Sequence, residues 1–467
     1  MKINPDFDKE SRINNWEILI EKCEGYLSNP EAWPVSPELN PKEIMEEAAA
    51  FDFNQGIGFD QAVNHVFKGL GKYQVHTPHP AYFGLFNPRP VFPGIAGDLI
   101  AGIINPQLAA WSHSPFANEV ENHLIREFGK KFGYPEDYID GNFTYGGGES
   151  NFTAVLCALN NHFPSYARTG LRGIKQSPRF YTSSECHHSF VKAARMAGLG
   201  TDNLRTIPVD KGFRMSVHHL EIAIKEDLSS GYAPFMVAST AGTTGAGVLD
   251  PLEEIQAICE KYNLWHHVDA AYGGAGILIP ELRELYTGIE KSDSLIFDAH
   301  KWLSVPMAAS LFITRHRDIL GQTFRITADY MPKEAEGMGV NDPFSHSLQW
   351  SRRFTGLKLY MAMLTFGWDG YGEILKHQLE MGDLLRTMLR DHGWKIYNPT
   401  RLPVVLFGNP ADESEDFIKS TCKHVLNSGR AWISVYTLQG KPTLRACITN
   451  YNTKKDDLIT LVNLLNN

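Results

Sequence analysis

The chain has 467 residues, of which 43% are hydrophobic and 21% charged, a composition that predicts a globular protein of about two or three domains. Its formal net charge of -9 disfavours nucleic acid and anionic membranes as partners, and no run approaches the ~18 apolar residues that a membrane span needs. The acidic start and six scattered cysteines without a CxxC pair favour a cytoplasmic protein over a secreted, disulfide-bonded or zinc-binding one.

The predicted elements, taken in chain order, indicate three parts. Residues up to about 75 are predicted to be helical, and the prolines between Asn29 and Pro41 separate two of these helices. From about residue 140 to 320, short apolar or β-branched runs alternate with amphipathic segments, which predicts a parallel sheet covered by helices. After about residue 360 a helix precedes spaced strands, which predicts a second, α+β domain. The central strand candidates are 235–240, 265–271, 295–298 and 310–314, with a helix candidate at 251–262.

Three consecutive glycines, Gly146 to Gly148, stand between the strand-like run NFTY and the helix-like run FTAVLCALNNHF. Glycines let the backbone turn sharply, and the first N–H groups of a helix attract an anion such as a phosphate. The run is neither a Walker loop, which needs a following Lys-Ser/Thr, nor the GxGxxG dinucleotide pattern. It predicts either a phosphate site or an ordinary tight turn.

Two charged residues, Asp269 and Lys301, follow strand-like runs, at the strand ends where ligands of parallel sheets bind. A carboxylate in an apolar run must be paired, solvated or opposite a cation, whereas a lysine in apolar company becomes an amine nucleophile toward an aldehyde. Taken singly, Asp269 is equally a loop cap and Lys301 a surface lysine. Together with the glycines they form the set that pyridoxal 5'-phosphate requires: an anion cradle, an imine-forming lysine and a carboxylate on the ring nitrogen.

Short motifs spread over nearly the whole chain carry a family resemblance. They are HPAYFG at His79, SPFANEVE at Ser114, TYGGGESN at Thr144, HHSFVKAA at His187, TAGTTGAGVLDP at Thr240, HVDAAYGG at His267, DAHKWL at Asp298, SLQWSRRF at Ser347 and LRACITN at Leu444. In their order and spacing, these motifs resemble the group II pyridoxal-phosphate-dependent amino-acid decarboxylases, which include the aromatic-amino-acid and glutamate enzymes.

The resemblance implies a fold-type-I α/β enzyme, a lyase of amino-acid metabolism, built from three parts. These are an N-terminal helical dimerisation segment (1–85), a large pyridoxal-phosphate-binding domain with a mostly parallel sheet (86–355), and a small C-terminal α+β domain (356–467). The family also implies a homodimer with active sites at the subunit interface and a small-molecule substrate that is an amino acid, whereas the exclusion of nucleic acid and membranes as partners comes from charge and hydropathy.

Carried over by position, the resemblance makes Lys301 the imine-forming lysine, Asp269 the partner of the ring nitrogen, and His187 the residue stacked on the ring near the substrate carboxylate. The other cofactor-binding residues that it implies are Gly147, Gly148, Thr244, Ala271, Asp298 and His300. Asp298 departs from the aromatic-amino-acid enzymes, which have an asparagine there that donates to phosphate. Because a carboxylate beside a phosphate dianion is repulsive, a direct contact between Asp298 and phosphate is not expected.

The stretch from Met331 to Trp350 lacks periodicity and is predicted to be a mobile loop. Relatives carry a tyrosine there that returns a proton to Cα after carbon dioxide leaves, whereas Phe344 stands at or next to that position in this chain. Phenylalanine has no proton to give. Either His346 or a water replaces the tyrosine, or oxygen reacts instead and an aldehyde forms.

The segment that lines the side-chain pocket in relatives is apolar and aromatic here, and two further positions match residues that reach the partner's pocket. The first group is Tyr82, Phe83, Leu85 and Phe86, and the second is Gln107 and Ala109. An apolar wall cannot satisfy a buried side-chain carboxylate, which argues against glutamate or aspartate as substrate. The alternative interpretation of the aromatic cluster is ordinary core.

The main functional prediction is a pyridoxal-phosphate-dependent carboxy-lyase that converts an L-amino acid with an apolar or aromatic side chain to an amine and carbon dioxide. Oxidative deamination to an aldehyde, and another fold-type-I reaction such as transamination, are the enzymatic alternatives. A cofactor-binding scaffold without turnover is the non-enzymatic one.

Overall fold

The computed structural model describes residues 5–326, 334–335 and 337–466, and its helices and strands are joined by short 3-10 turns. The helices in this part of the chain are α1 (Lys9–Ser28), α2 (Pro41–Ala48), α3 (Phe59–Tyr73), α4 (Phe92–Ile104), α5 (Pro115–Lys131), α6 (Gly147–His162), α7 (Tyr166–Thr169), α8 (Ser189–Met196), α9 (Val217–Ser229), α10 (Leu252–Tyr262), α11 (Ile319–Phe324), α12 (Gly356–Asp391), α13 (Glu415–Asn427) and α14 (Lys455–Leu465). The strands are β1 (Asp140–Thr144), β2 (Pro178–Ser183), β3 (Leu204–Ile207), β4 (Ala233–Thr240), β5 (Trp265–Asp269), β6 (Ser294–Asp298), β7 (Ser310–Thr314), β8 (Lys395–Ile396), β9 (Val404–Gly408), β10 (Ser434–Leu438) and β11 (Lys441–Cys447).

Seven strands form one sheet in the order β1-β7-β6-β5-β4-β2-β3. The pairs β2–β3, β2–β4, β4–β5 and β5–β6 are parallel, whereas β7 runs antiparallel to both β6 and β1. Every residue of β5, β6 and β7 is buried, so none of these strands alternates between buried and solvent-facing residues, and the polar side chains of β5 need partners within the protein. The predicted α/β architecture with a mostly parallel sheet is confirmed.

Helices cover both faces of this sheet. Asn151 of α6 hydrogen-bonds to His267 on one face of β5, while Gln256 of α10 hydrogen-bonds to His266 on the other. Because successive side chains of a strand point to opposite faces, Trp265, His267 and Asp269 share the α6 face. The sheet therefore delivers Asp269 to the same layer as the start of α6.

A second sheet, in the order β10-β11-β9-β8, is entirely antiparallel and packs against α13, α14 and the end of α12. The long helix α12 leads into it and is interrupted at Gly367, whose φ of 60° and ψ of -172° suit glycine. This α+β arrangement of the C-terminal part was predicted from the strand spacing.

One segment of the N-terminal part joins the second sheet. The N–H of Phe83 donates to the carbonyl of Trp432 at 2.9 Å, and the N–H of Cys447 donates to the carbonyl of Phe83 at 3.0 Å. Ala81, Tyr82 and Phe83 are consequently buried in the core of the C-terminal part. The three-part division at residues 85 and 355 stays a prediction.

The apolar helix α4 packs one side against α12 so closely that a Cβ on Gly97 would lie 2.7 Å from Lys358 Cα. Its other side exposes large apolar side chains, namely Phe92, Leu99, Ile100, Ile103 and Ile104. α4 has 13 residues, and across the described ranges no helix combines the length and the apolar character that crossing a bilayer requires.

Candidate active site

The carboxyl ends of β4, β5 and β6 surround a cavity of about 210 Å³. Thr240, Asp269 and Asp298 are the last residues of these three strands, and all three line the cavity. The structure brings together at this cavity all nine residues predicted to bind the cofactor, namely Gly147, Gly148, His187, Thr244, Asp269, Ala271, Asp298, His300 and Lys301. Their individual roles stay predictions.

Gly147 and Gly148 form the first turn of α6 instead of a turn that precedes it. The first N–H groups of a helix have no partner within it and, with the helix dipole, favour an anion. A Cβ on Gly147 would lie 3.0 Å from Asp298 Oδ2, so a side chain there would crowd the end of β6. Glycine therefore lets the helix start approach the strand end.

Lys301 lies in the turn after β6, with its Nζ 3.1 Å from Asp298 Oδ2. Asp298 is only 2% exposed, and its Oδ1 accepts a hydrogen bond from Ser310 Oγ at 2.5 Å. The charge of Asp298 is thus directed at the lysine amine, and the ion pair holds that amine at the cavity.

Asp269 is 5% exposed, and its two oxygens accept hydrogen bonds from two neutral donors. Asn151 Nδ2 donates to Oδ2 at 2.9 Å, and the backbone N–H of Ala271 donates to Oδ1 at 3.1 Å. Neither donor cancels the negative charge. The carboxylate can therefore still pair with a cation in the cavity, such as a protonated ring nitrogen.

His187 precedes α8, and its Nδ1 lies 2.9 Å from Ser189 Oγ and 3.2 Å from the backbone nitrogen of Ser189. Burial is the main cause that lowers the pKa of His187 below its ordinary value; Asp269 opposes this shift and Lys301 adds to it. A neutral imidazole suits stacking on an aromatic ring better than a fully hydrated cation would.

The adjacent histidines of β5 point to opposite faces of the sheet, as strand geometry requires. Burial lowers the pKa of His266 to about 4 and of His267 to about 3, so both are neutral at ordinary pH. No three His, Cys, Asp or Glu side chains within the described ranges are arranged to hold a metal ion.

The chemistry of the cavity fits pyridoxal phosphate. An amine for the aldehyde, a carboxylate for the ring nitrogen and a helix start for the phosphate face one space. Thr240 Oγ1, which is buried without a partner among the described residues, adds a free hydroxyl at this cavity. Cavity-lining residues that the sequence reasoning missed are Asn151, Thr240, Gly242, Tyr272 and Ile296.

Of the residues predicted to bind substrate, Phe86 comes nearest to the cavity within one chain. Its ring stacks on Tyr272 with a centroid separation of 3.8 Å and lies 5.8 Å from Lys301 Nζ. Leu85 is exposed, whereas Tyr82 and Phe83 are buried on the second sheet. None of the six predicted pocket residues, including Gln107 and Ala109, lines the cavity itself in the described part of a single chain.

Arg445 of β11 is a candidate that the sequence reasoning missed. Its guanidinium lies 4.9 Å from the Phe86 ring centroid, and it donates to the backbone carbonyls of Gly84 and Thr244. Arg445 is 3% exposed, yet Nη2 has no partner among the described residues. A buried guanidinium with a free N–H is a natural receptor for a carboxylate.

The predicted loop contains residues 331–333 and 336, which lie outside the described residues. The described end of the loop packs on its own chain: the N–H of Phe344 donates to the carbonyl of Ala109 at 3.0 Å, and its ring contacts Trp350. His346 lies 3.4 Å from Asp140 Oδ2. Neither Phe344 nor His346 lines the strand-end cavity of the same chain.

Comparison with known proteins identifies the family. Residues 59–408 match the family described as pyridoxal-dependent decarboxylase conserved domain, so the chain belongs to this family of lyases, whose cofactor is pyridoxal phosphate. The chain is 29% identical over 470 residues to histidine decarboxylase of Drosophila melanogaster, covering 97% of this chain and 54% of that protein. It therefore spans about half the length of this relative. It is also 28% identical to aromatic-L-amino-acid decarboxylase of Bacillus atrophaeus, covering 96% of this chain and 92% of that protein.

Solved structures share the fold. The structure of Oryza sativa TDC with PLP and tryptamine superimposes with a TM-score of 0.94, at 23% sequence identity, and covers 100% of this chain and 98% of that one. The predicted fold type I is thereby confirmed, and the predicted family is confirmed by the match over residues 59–408.

Proposed function

We propose that this protein is an amino-acid decarboxylase that removes the α-carboxylate of an L-amino acid with an apolar or aromatic side chain. The observation that carries the proposal is the single cavity at which Lys301, Asp269, His187 and the start of α6 meet. Membership in the decarboxylase family supports the reaction class, since the same groups are the minimum that pyridoxal phosphate needs.

In this proposal each side chain has one task. Lys301 leaves its ion pair with Asp298 and supplies the amine that attaches the cofactor. Asp269 keeps a proton on the ring nitrogen, while the N–H groups of Gly147 and Gly148 bind the phosphate. When bound, pyridoxal phosphate supplies the electron sink for the electron pair that stays on Cα when carbon dioxide leaves.

The substrate class follows from the surroundings of Phe86. It stacks on Tyr272, which lines the cavity, and its ring lies 5.8 Å from Lys301 Nζ. An aromatic surface so close to the amine would stabilise apolar or aromatic side chains by burial. The guanidinium of Arg445 lies 4.9 Å from the Phe86 ring centroid and has a free N–H at Nη2. We propose that it binds the α-carboxylate of the substrate.

The function is tested by incubating the purified protein, loaded with pyridoxal phosphate, with the twenty common amino acids, ornithine, 2,4-diaminobutyrate and dihydroxyphenylalanine. Carbon dioxide, amine, aldehyde and peroxide are measured together, with and without a 2-oxo acid. Stoichiometric carbon dioxide and amine from an aromatic or apolar amino acid are expected. Turnover that depends on the 2-oxo acid and releases no carbon dioxide would identify a transaminase and refute the proposal.

We further propose that the protein acts as a homodimer. The outer side of α4 and Phe116 of α5 expose apolar side chains, and these two helices flank in sequence Gln107 and Ala109, the two positions matched to a partner's pocket. Exposed apolar surface of this kind marks an interface, and a second copy places those two residues at a second cavity.

Oxidative production of an aldehyde is the second candidate, and the identity of residue 344 favours it. A phenyl ring cannot return a proton to the carbon that has lost its carboxylate. If that carbon stays unprotonated, dioxygen can oxidise it and is itself reduced to peroxide. Water then supplies the aldehyde oxygen, so that aldehyde, ammonia and peroxide form together with carbon dioxide.

Phe344→Tyr tests this candidate. The new phenol is expected to raise the ratio of amine to aldehyde by about tenfold, which is below the usual ~100-fold minimum for general acid catalysis. His346→Ala in the parent protein is the matched comparison, because a large loss of amine would identify His346 as the proton donor. A parent enzyme that forms only amine and no peroxide in air, and that neither substitution changes, would exclude the aldehyde reaction.

A further inference from the structure

A continuous chain of buried hydrogen bonds connects β5 to His187, and Asn151 is its central residue. Asn151 Nδ2 donates to Asp269 Oδ2 and to Ser189 Oγ, both at 2.9 Å. Asn151 Oδ1 lies 3.0 Å from His267 Nε2. One side chain therefore joins a carboxylate, a hydroxyl and an imidazole.

The direction of each bond on the β5 side follows from the donor and acceptor inventory. A carboxylate only accepts, so the Asn151 atom that faces Asp269 is the amide nitrogen, and its oxygen faces His267. His267 must then carry its proton on Nε2. Because burial lowers the pKa of His267 to about 3, the ring is neutral and its Nδ1 accepts from Ser294 Oγ at 2.8 Å. Ser294 in turn accepts from Trp265 Nε1 at 2.9 Å.

The other end of the chain reaches the cavity through Ser189, the first residue of α8. Its hydroxyl oxygen accepts from Asn151, so its own proton is free to be donated to His187 Nδ1 at 2.9 Å. The backbone N–H of Ser189 also approaches His187 Nδ1, at 3.2 Å. Two donors directed at one nitrogen require a lone pair there, and the proton of a neutral His187 must lie on Nε2.

We propose that Asn151 is a positioning residue that fixes His187 as the tautomer with its proton on Nε2. Among the described residues Nε2 makes no hydrogen bond, and His187 lines the cavity. His187 therefore acts toward bound substrate as a neutral N–H donor and not as a base. The significance for catalysis rests on the proposed function, whereas the protonation state of the ring can be measured without turnover.

The side chain at position 151 must be an amide for this arrangement to hold. Leucine has a similar size, but it would leave Asp269 Oδ2 without this donor, His267 Nε2–H without an acceptor and the Ser189 hydroxyl free to rotate. Aspartate would add a second carboxylate within hydrogen-bond distance of Asp269, which repels it unless one of them is protonated. A purely structural asparagine would also lose stability on substitution, but only a positioning asparagine would change the protonation pattern of His187, and this difference is testable.

The test is nitrogen NMR of protein labelled with [15N]histidine and loaded with pyridoxal phosphate. The chain has 18 histidines, and the signals of His187 are identified by their loss in His187→Gln. The expected spectrum has a protonated Nε2 and an unprotonated Nδ1. In Asn151→Leu both signals are expected to shift toward averaged values, because the Ser189 hydroxyl is then free to rotate and only the backbone N–H of Ser189 still favours a lone pair on Nδ1.

Ser150→Ala is the matched control. Ser150 is the neighbouring buried residue of α6, hydrogen-bonds to Thr144 Oγ1 and does not line the cavity. The control is expected to leave the His187 signals unchanged. With an amino acid that is turned over, Asn151→Leu is expected to lower kcat by about 10- to 100-fold and to change KM by less than about threefold.

If Asn151→Leu does not fold, Ser189→Ala removes the hydroxyl donor alone and is expected to shift the Nδ1 signal. A parent protein with the proton on Nδ1 of His187, or variants with the parent spectrum, would overturn the inference. Failure of all amino acids to react would instead count against the proposed function and leave this spectrum informative.

Discussion

Lys301 is the residue whose removal has the most direct chemical readout. In Lys301→Ala the amine that pairs with Asp298 is gone, so covalent attachment of pyridoxal phosphate and all turnover should be lost. Borohydride reduction of the parent protein followed by peptide mapping should find the pyridoxyl group on Lys301. Lys192→Ala, which removes an exposed lysine of α8, is the control and should keep both properties. A reduced adduct on any other lysine would contradict the assignment.

Asp298 should weaken cofactor binding in the natural protein. It is buried beside Gly147 and the amine of Lys301, so its charge repels a phosphate at the start of α6 and stabilises the protonated lysine. Asp298→Asn removes both effects and is expected to tighten binding by at least about tenfold, since like charges a few ångströms apart cost more than 1.4 kcal/mol even at an effective dielectric of ~20.

Titration of the apo-protein with pyridoxal phosphate, followed by absorbance, measures this change. Asp227→Asn is the matched control because Asp227 is equally buried but does not line the cavity. Weaker binding in Asp298→Asn than in the parent would show that the carboxylate itself contacts the cofactor through a proton or a water.

The sequence predicted the residues of the site that have a distinctive chemical role and missed the residues that hydrogen-bond to them or surround them. Asp269 is the last residue of β5, and Lys301 lies shortly after β6. A charged side chain at the end of a buried strand must have a partner, so these two residues could be found from their positions alone. Asn151 was visible only as part of a motif, because its role depends on three partners that are distant in sequence. Arg445 was missed because no local sequence pattern distinguishes a buried arginine of the second sheet from an arginine on the surface.

At the scale of elements, Asp227 ties α9 to β2 and β3. Its carboxylate accepts from Arg179 at 2.6 Å, from Arg205 at 2.7 Å and from the hydroxyl of Tyr181 at 2.8 Å. Asp227→Ala takes the carboxylate from Arg179 and the acceptor from the buried Tyr181 hydroxyl, whereas Arg205 keeps Glu226, and it is expected to destabilise the protein by about 3 kcal/mol. The arginines are partly exposed, which keeps the cost at the lower end of the range for a buried pair.

Differential scanning fluorimetry is expected to record a melting temperature lowered by several degrees. Asp227→Asn, which retains an acceptor for Tyr181, should fall between the parent and Asp227→Ala. Because Asp227 does not line the cavity, the affinity for pyridoxal phosphate at low temperature should be unchanged in both variants. A stable Asp227→Ala protein would mean that water compensates the arginines.

The predicted strands of the central part agree closely with β4 to β7, because short runs of residues between turn signals are the sequence pattern of strands inside a sheet that helices cover on both faces. The strand order, in contrast, could not be read from the sequence. β7 lies between β1 and β6 and runs antiparallel to both. Long-range packing determines this position and direction, and no local sequence pattern indicates them.

At the scale of the whole molecule, the outer side of α4 should decide the oligomeric state. Ile100→Glu/Ile103→Glu places two charges one helical turn apart on this exposed apolar side. The double variant is expected to be monomeric and inactive, because the proposed interface would have to bury both carboxylates. Light scattering after size exclusion measures the mass, against 52.4 kDa for one chain.

Leu228→Glu, at a comparably exposed leucine of α9, is the control and should stay dimeric. Deletion of residues 1 to about 75 should give aggregated or inactive protein, since it uncovers surface that the N-terminal helices protect. A soluble, active monomer from either change would contradict the homodimer.

The attachment of residues 78–84 to the C-terminal sheet determines when the core of the C-terminal part can finish folding during synthesis. Arg445 donates to the carbonyl of Gly84, and Asn450 donates to those of Pro78 and His79, across more than 360 positions of sequence. A growing chain on the ribosome must therefore keep this aromatic segment unburied until β11 and Asn450 have been translated. Nascent chains that end before β11 should therefore depend on chaperones.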